Sequence, residues 1–144
     1  MKTINIWTDG ACSGNPGKGG WAAILEFDGH IKSISGGEKE TTNNQMELTA
    51  VIKALQTLKY PCSVKLRSDS AYVVNAFLND WVNRWQANGW RSSKKGLVAN
   101  KELWEELIKL TNIHDVEFIK VQGHAFEKNN NLCDSLARSE ILKL

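Results

Sequence analysis

The chain is poor in the residues that mark secreted, membrane-spanning or unfolded proteins. Its three cysteines, Cys12, Cys62 and Cys133, are odd in number and show no CxxC spacing. That pattern excludes a disulfide framework and a local zinc motif, and leaves each cysteine as a small buried hydrophobe in a reduced setting. Only Pro16 and Pro61 interrupt 144 residues, and no Pro/Gly/Ser linker, repeat or low-complexity stretch divides them. Residues 1–144 therefore read as one domain, with 42% apolar content sufficient for a core. No apolar run approaches the roughly 20 residues that cross a bilayer, and MKTINIW alternates too quickly for a secretory signal. A soluble, cytoplasmic protein is expected, and a monomer without an obligate protein partner. Acidic residues are missing from Trp81 to Asn100, where Arg84, Arg91, Lys94 and Lys95 stand. With a net charge of +2 overall, the rest of the chain is slightly negative.

What is present is a change of period along the chain. TINIWTD (3–9) reads as a strand entering a loop, GACSGNPGKGG, that carries five glycines. WAAILE (21–26) and HIKSISGG (from about 30) read as two further strands joined by an Asp28-Gly29 hairpin turn. Thr42 with Gln45 three positions on can form a capping box, and Met46, Leu48, Ile52, Leu55 and Leu58 carry a helix to about Tyr60-Pro61. SVKLRSD is a strand, parallel to the first because a helix crosses between them. One helix or two follow Asp69. A loop runs through RSSKKGLVAN, a helix capped by Asn100 spans Lys101–Leu110, VEFIKV is the last strand, and a helix from Glu127 to Leu142 aligns Cys133, Leu136, Ala137 and Ile141. The expected fold class is α/β, a mixed five-stranded sheet with three antiparallel and two parallel strands, flanked by helices.

Four carboxylates lie far apart in sequence: Asp9, Glu47, Asp69 and Asp134. Asp9 and Asp69 end two parallel strands, the place where active residues of such sheets collect, and Glu47 and Asp134 lie on helices that can reach the same end. Gathered together, they would resist ionisation unless divalent cations held them. Taken singly, each has a blander reading. Asp9 and Asp69 can be turn formers, Glu47 a solvated first-turn acid, and Asp134 a helical partner of Arg138.

TDGACSGNPGKGGWAAIL, TTNNQMEL, SDSAYV and GHAFEKNNNLCDSLAR, in that order, resemble the motifs of type 1 ribonuclease H, and the match spans essentially the whole sequence. The resemblance implies a ribonuclease H-like fold and an endoribonuclease that hydrolyses the RNA strand of RNA/DNA hybrids by two-metal-ion catalysis, leaving 5'-phosphate and 3'-hydroxyl ends. It assigns metal binding to Asp9, Glu47, Asp69 and Asp134, with two Mg2+ ions when substrate is bound and Mn2+ as a substitute, and gives His124 a mobile proton-handling role. For His124 the alternative is a hydrogen-bonded loop histidine.

Reading RNA against DNA requires contact with 2'-hydroxyls in a wide minor groove. Cys12, Ser13, Gly14 and Asn15, with Asn43, Asn44 and Gln45, are expected to face it, although Asn43 and Asn44 can also cap their own helix. Trp81 with Arg84, Arg91, Lys94 and Lys95 resembles the family's basic protrusion for the DNA strand, and Thr42 and Asn100 are similar to residues that grip a DNA phosphate. Trp85, Trp90 and Trp104 read as packing. The chain departs from the family pattern at Gln86 and Ala87, where lysines are common, and at Ala71, Phe126 and Asn131 near the site. Weaker, less salt-dependent hybrid binding than in more basic relatives is expected. Competing readings are a two-metal DNA nuclease or resolvase, an inactive hybrid-binding domain, and a nuclease domain of a larger polymerase. The family-specific GNPG and TTNN segments, the four intact acids and chain ends that coincide with secondary-structure elements weigh against these in turn.

Overall fold

Strands β1 (Thr3–Gly14), β2 (Gly17–Phe27) and β3 (His30–Thr41) run antiparallel, and β4 (Ser63–Ser68) and β5 (Asp115–Lys120) are parallel to β1, in the spatial order β3-β2-β1-β4-β5. This computed structural model describes residues 1–92, 96–122 and 128–144. The expected mixed sheet is borne out. Asp28 and Gly29, both at positive φ (52° and 83°), make the tight β2–β3 turn, as the primed hairpin turns require.

Alternation along β1 separates two faces. Ile4, Ile6 and Thr8 are buried, and the two isoleucines pack with Leu48, Val51 and Leu55 of α1 (Asn43–Gln56) and with Trp104 and Leu107 of α4 (Lys101–Ile113). Each such fully buried aliphatic side chain contributes roughly 1.5–3 kcal/mol. On the opposite face, Ala22 and Ile24 meet Cys133 and Ala137 of α5 (Lys128–Leu142), with Trp7 and Leu136 at the margin. Two short helices, α2 (Ala71–Leu78) and α3 (Trp81–Ala87), follow β4. The chain turns between them at Asp80, which adopts φ 61°.

Three sequence expectations change. The glycine-rich loop after Asp9 is strand: β1 and β2 stay paired as far as Gly14 and Gly17. The poor strand propensity of glycine is overridden by ladder pairing and by helices that pass too close for a Cβ. Helix α1 ends at Gln56 with Thr57 as its cap, before Tyr60-Pro61. Asn100 occupies the N-cap position of α4 but makes no side-chain cap there.

His114, 5% exposed, ties the end of α4 to the segment before β4, its Nδ1 accepting a hydrogen bond from the Cys62 backbone N–H at 3.1 Å. Burial lowers its pKa from 6.5. Because the folded pKa lies below the unfolded one, its stabilisation is complete above pH 6.5 and is lost as pH falls below that. Asparagine at position 114 keeps an acceptor but does not titrate. The melting-temperature advantage of wild type over His114→Asn is therefore expected to shrink between pH 7 and 5. An advantage independent of pH would remove the histidine from this account.

Candidate active site

The register of the parallel strands sets the site. Thr8 pairs with Ser68 at the end of the β1–β4 ladder, so Asp9 and Asp69 come next, side by side where the sheet passes from antiparallel to parallel order. Asp69 follows the end of β4, whereas Asp9, expected to end its strand, lies within β1, which runs on to Gly14 against β2. Glu47 comes from the second turn of α1, whose first turn is fixed by Thr42 Oγ1 accepting from Gln45 N–H at 3.2 Å. This is half of the expected capping box. Gln45 uses its side-chain oxygen instead to accept from Thr41 Oγ1 at 2.9 Å.

Close packing then carries the acids inward. A Cβ on Gly10 would sit 2.5 Å from Glu47 N, and one on Gly20 would overlap the Ala137 carbonyl oxygen. Glycine at these two positions lets α1 and α5 lie directly on the sheet, which delivers Glu47 and Asp134. Cys133, beside Asp134, is wholly buried and donates to the Trp7 carbonyl at 3.3 Å; burial first, then the Asp9 charge, pushes its thiol up to about 12. It anchors α5 and is inert as a nucleophile.

Asp9, Glu47 and Asp69 can each present a carboxylate oxygen within 4.8 Å of the others. Asp134 lines the same cleft, of about 660 Å³, but its carboxylate faces Arg138, whose Nε lies 3.1 Å from both oxygens. With side chains 37% and 66% exposed, that pair contributes little to stability, at most about 1 kcal/mol. The helical pairing of Asp134 with Arg138 is thus observed, and Asp134 lines the cleft outside the group formed by Asp9, Glu47 and Asp69.

The electrostatics are those of a crowded anion site. Asp9 is pushed up to about 7 by burial, then by the charges of Asp69 and Asp134. Glu47 is held well above its ordinary value by burial, then by Asp9 and Asp69, with a Ser70 hydrogen bond acting the other way. Among the described residues Glu47 Oε1 and Asn130 Oδ1 are buried without a hydrogen-bond partner, an expensive state for polar atoms. All four acids offer hard oxygen donors, so a small divalent cation fits the site on charge, ligand type and unmet acceptors. Sequence reasoning missed Asn130. It is 2% exposed, lines the cleft, and lies one helical turn before Asp134, a spacing that was available as a signal.

Of the expected substrate residues, Cys12, Ser13, Asn43 and Asn44 line this cleft, together with Ala71 and Asn131. Gly14 and Asn15 form the hairpin tip, which Asn15 Oδ1 fastens to α1 by accepting from Asn43 N–H at 3.0 Å. Thr42, not Asn43 or Asn44, caps α1. A second cleft of about 520 Å³ holds Trp81, Arg84 and Arg91. Trp104 is fully buried against Tyr72 and Trp85, at ring separations of 5.3 and 5.1 Å, and Trp85 stacks on Trp90 at 6.2 Å. The packing role of these three tryptophans is thus observed. His124, Phe126, Lys94 and Lys95 lie outside the described residues.

The family model for RNase H matches residues 1–142. The ribonuclease H of Acetivibrio thermocellus is 59% identical over 143 residues, covering 99% of this chain and 97% of the relative. Among solved structures, LC9-RNase H1, a type 1 RNase H with the type 2 active-site motif, superposes with a TM-score of 0.88 at 29% identity, over 99% of this chain and 74% of that one. LC11-RNase H1, solved in complex with an RNA/DNA hybrid, gives a TM-score of 0.75 at 25% identity, over 97% of each chain. Agreement of this extent with both sequences and structures, joined to an acidic cluster able to hold a metal ion, establishes that the chain belongs to the type 1 ribonuclease H family and is an enzyme of the hydrolase class.

Proposed function

We propose that this enzyme hydrolyses the RNA strand of RNA/DNA hybrids at a site of two divalent ions, Mg2+ with Mn2+ as substitute, leaving 5'-phosphate and 3'-hydroxyl ends. The observation that carries this reading is the convergence of Asp9, Glu47 and Asp69 within 4.8 Å in a cleft that Asp134 also lines. The hybrid bound by LC11-RNase H1 supports the substrate class.

Such ions supply Lewis-acid activation of water and neutralise charge on the departing oxygen. The residues do the rest. Asp9 and Asp69 would hold the centre of the site from adjacent strands, Glu47 would serve the side toward the leaving oxygen and ribose, and Asp134 the water side, exchanging Arg138 for a cation. Asn130 Oδ1, buried and without a partner among the described residues, accepts a hydrogen bond from water at that margin. Cys12, Ser13, Asn43 and Asn44 line the cleft and read the RNA groove, and His124 handles the proton of the departing group. Trp81, Arg84 and Arg91 take the DNA strand in the second cleft, joined by Lys94 and Lys95. Residues 1–144 act as one domain.

Hybrid, duplex RNA and duplex DNA offered in parallel with Mg2+ test the reading. Only the hybrid should be cut, and EDTA should stop cleavage. RNA duplex cut as fast as hybrid would refute the proposal. Arg91→Ala should weaken hybrid binding and lower the slope of log K against log salt by about 1, since one phosphate contact is removed. An unchanged slope would detach Arg91 from the substrate.

A further inference from the structure

An asparagine at a helix N-cap ordinarily accepts a hydrogen bond from the first turn and stabilises the helix by about 1 kcal/mol. Asn100 stands at that position before α4 and does not do so, and its backbone sits at φ 61°, ψ 32°, a left-handed conformation that asparagine tolerates better than most residues. Its carboxamide is turned elsewhere. Oδ1 accepts from Gln45 Nε2 at 3.2 Å, and Nδ2 donates to the Tyr72 hydroxyl at 3.1 Å. That hydroxyl also accepts from Trp104 Nε1 at 3.1 Å, and Gln45 is braced in turn by Thr41 Oγ1 at 2.9 Å. One carboxamide thus joins the starts of α1, α2 and α4. A forgone cap persists where the side chain is needed in a particular place.

The location of this junction gives the need. Tyr72 lines both the acidic cleft and the cleft of Trp81, Arg84 and Arg91, so the tether stands where the two meet. After both bonds are made, an amide keeps one N–H to donate. The resemblance to type 1 ribonuclease H already gives Asn100 a phosphate of the DNA strand; we infer that Gln45 and Tyr72 are positioning residues for it, holding the carboxamide with its remaining N–H toward that phosphate and so fixing the strand's register against the acids. This rests on the proposed hybrid substrate and changes the part played by Gln45: it acts through Asn100, and its amide is already engaged by Thr41 and Asn100.

Tyr72→Phe keeps the ring packed on Trp104 and removes only the hydroxyl, while Gln45→Met keeps chain length and removes the amide. With hybrid, each is expected to raise KM and the dissociation constant about 3- to 10-fold, the usual range for one lost hydrogen bond, and to leave kcat within about twofold. In an Asn100→Ala background neither should have any further effect, because neither can act without the carboxamide. Equal penalties in both backgrounds, or a fall in kcat at constant KM, would overturn the inference. A larger penalty for Gln45→Met than for Asn100→Ala would restore a direct contact for Gln45. The Asn100 side-chain amide signals in NMR, recorded without substrate, judge the tether separately. They should be dispersed and slow to exchange in wild type and lose both properties in Tyr72→Phe. If the wild type fails to cut hybrid, the proposed function falls, and these signals still decide whether the tether exists.

Discussion

Replacing Asp9 with asparagine is expected to abolish hybrid cleavage, by about a thousandfold or more, and at the same time to make the metal-free protein more stable above pH 7. The two effects share one cause. Asp9 is 5% exposed and its carboxyl group is pushed up to about 7 by burial and by the Asp69 and Asp134 charges. The folded state therefore binds its proton more tightly than the unfolded chain, whose group titrates near 3.8. The stabilisation that follows from the bound proton is complete below about pH 4 and is lost as pH rises to about 7. At pH 8 the fold holds an ionised, crowded acid at a penalty of at most about 4 kcal/mol, from roughly 1.4 kcal/mol per pH unit over the displacement from 3.8 to about 7. Asparagine avoids that penalty and can still accept from the Gly10 N–H, which lies 2.9 Å from Asp9 Oδ1 in the wild type. For a chain of this size the gain corresponds to a rise in melting temperature of about 5–15 °C at pH 8 without divalent ions. It should be much smaller near pH 4. Mg2+ should stabilise wild type and narrow the difference, because a ligand that binds only the folded state shifts its melting. An asparagine variant that is no more stable than wild type at pH 8, or that still cuts hybrid, would separate Asp9 from the metal site.

How much of this was legible in the sequence follows from the range of the interactions involved. Local patterns showed the elements: alternation in TINIWTD, the Thr42 cap before an apolar helical face, and Asp28-Gly29 as a turn. The parallel pairing of β1 and β4 followed from the helix between them, and it placed Asp9 beside Asp69. What was misread depended on contacts across the fold. The segment from Gly10 to Gly20 looks like a loop because glycine is a poor strand former, yet each strand is held by the other, and the glycines serve α1 and α5 packed against them. Asn100 has the composition of a cap, but partners 28 and 55 positions away claim its carboxamide. Asn130 stands one helical turn before Asp134, a spacing the sequence offers, but its burial and its oxygen without a partner among the described residues come only with the fold.

Gly10→Ala should be the most damaging small substitution outside the carboxylates, because it acts on helix position and site geometry together. The added Cβ would lie 2.5 Å from Glu47 N, 2.6 Å from the Met46 carbonyl carbon and 2.9 Å from Met46 Cβ. Two of these are main-chain atoms that no rotamer change can move away, so α1 must shift as a body. Its inner face, with Leu48, Val51 and Leu55 fully buried, is packed against the sheet and resists. Overpacking of this kind destabilises by about 1–3 kcal/mol, occasionally more. The shift also withdraws Glu47 from Asp9 and Asp69, and a misplacement of about 1 Å can lower turnover by about a hundredfold. Gly29→Ala is the control, since that glycine has φ 83° but nothing within 4 Å of an added Cβ. It should cost about 1 kcal/mol of stability through backbone strain and leave metal binding and kcat unchanged. Gly10→Ala should weaken metal binding measured by calorimetry in the absence of substrate, and should lower kcat even at temperatures where the variant is fully folded. Metal affinity and turnover at wild-type levels in folded Gly10→Ala would mean that Glu47 does not depend on the close approach of α1 to β1, and the positional account of the site would have to be abandoned.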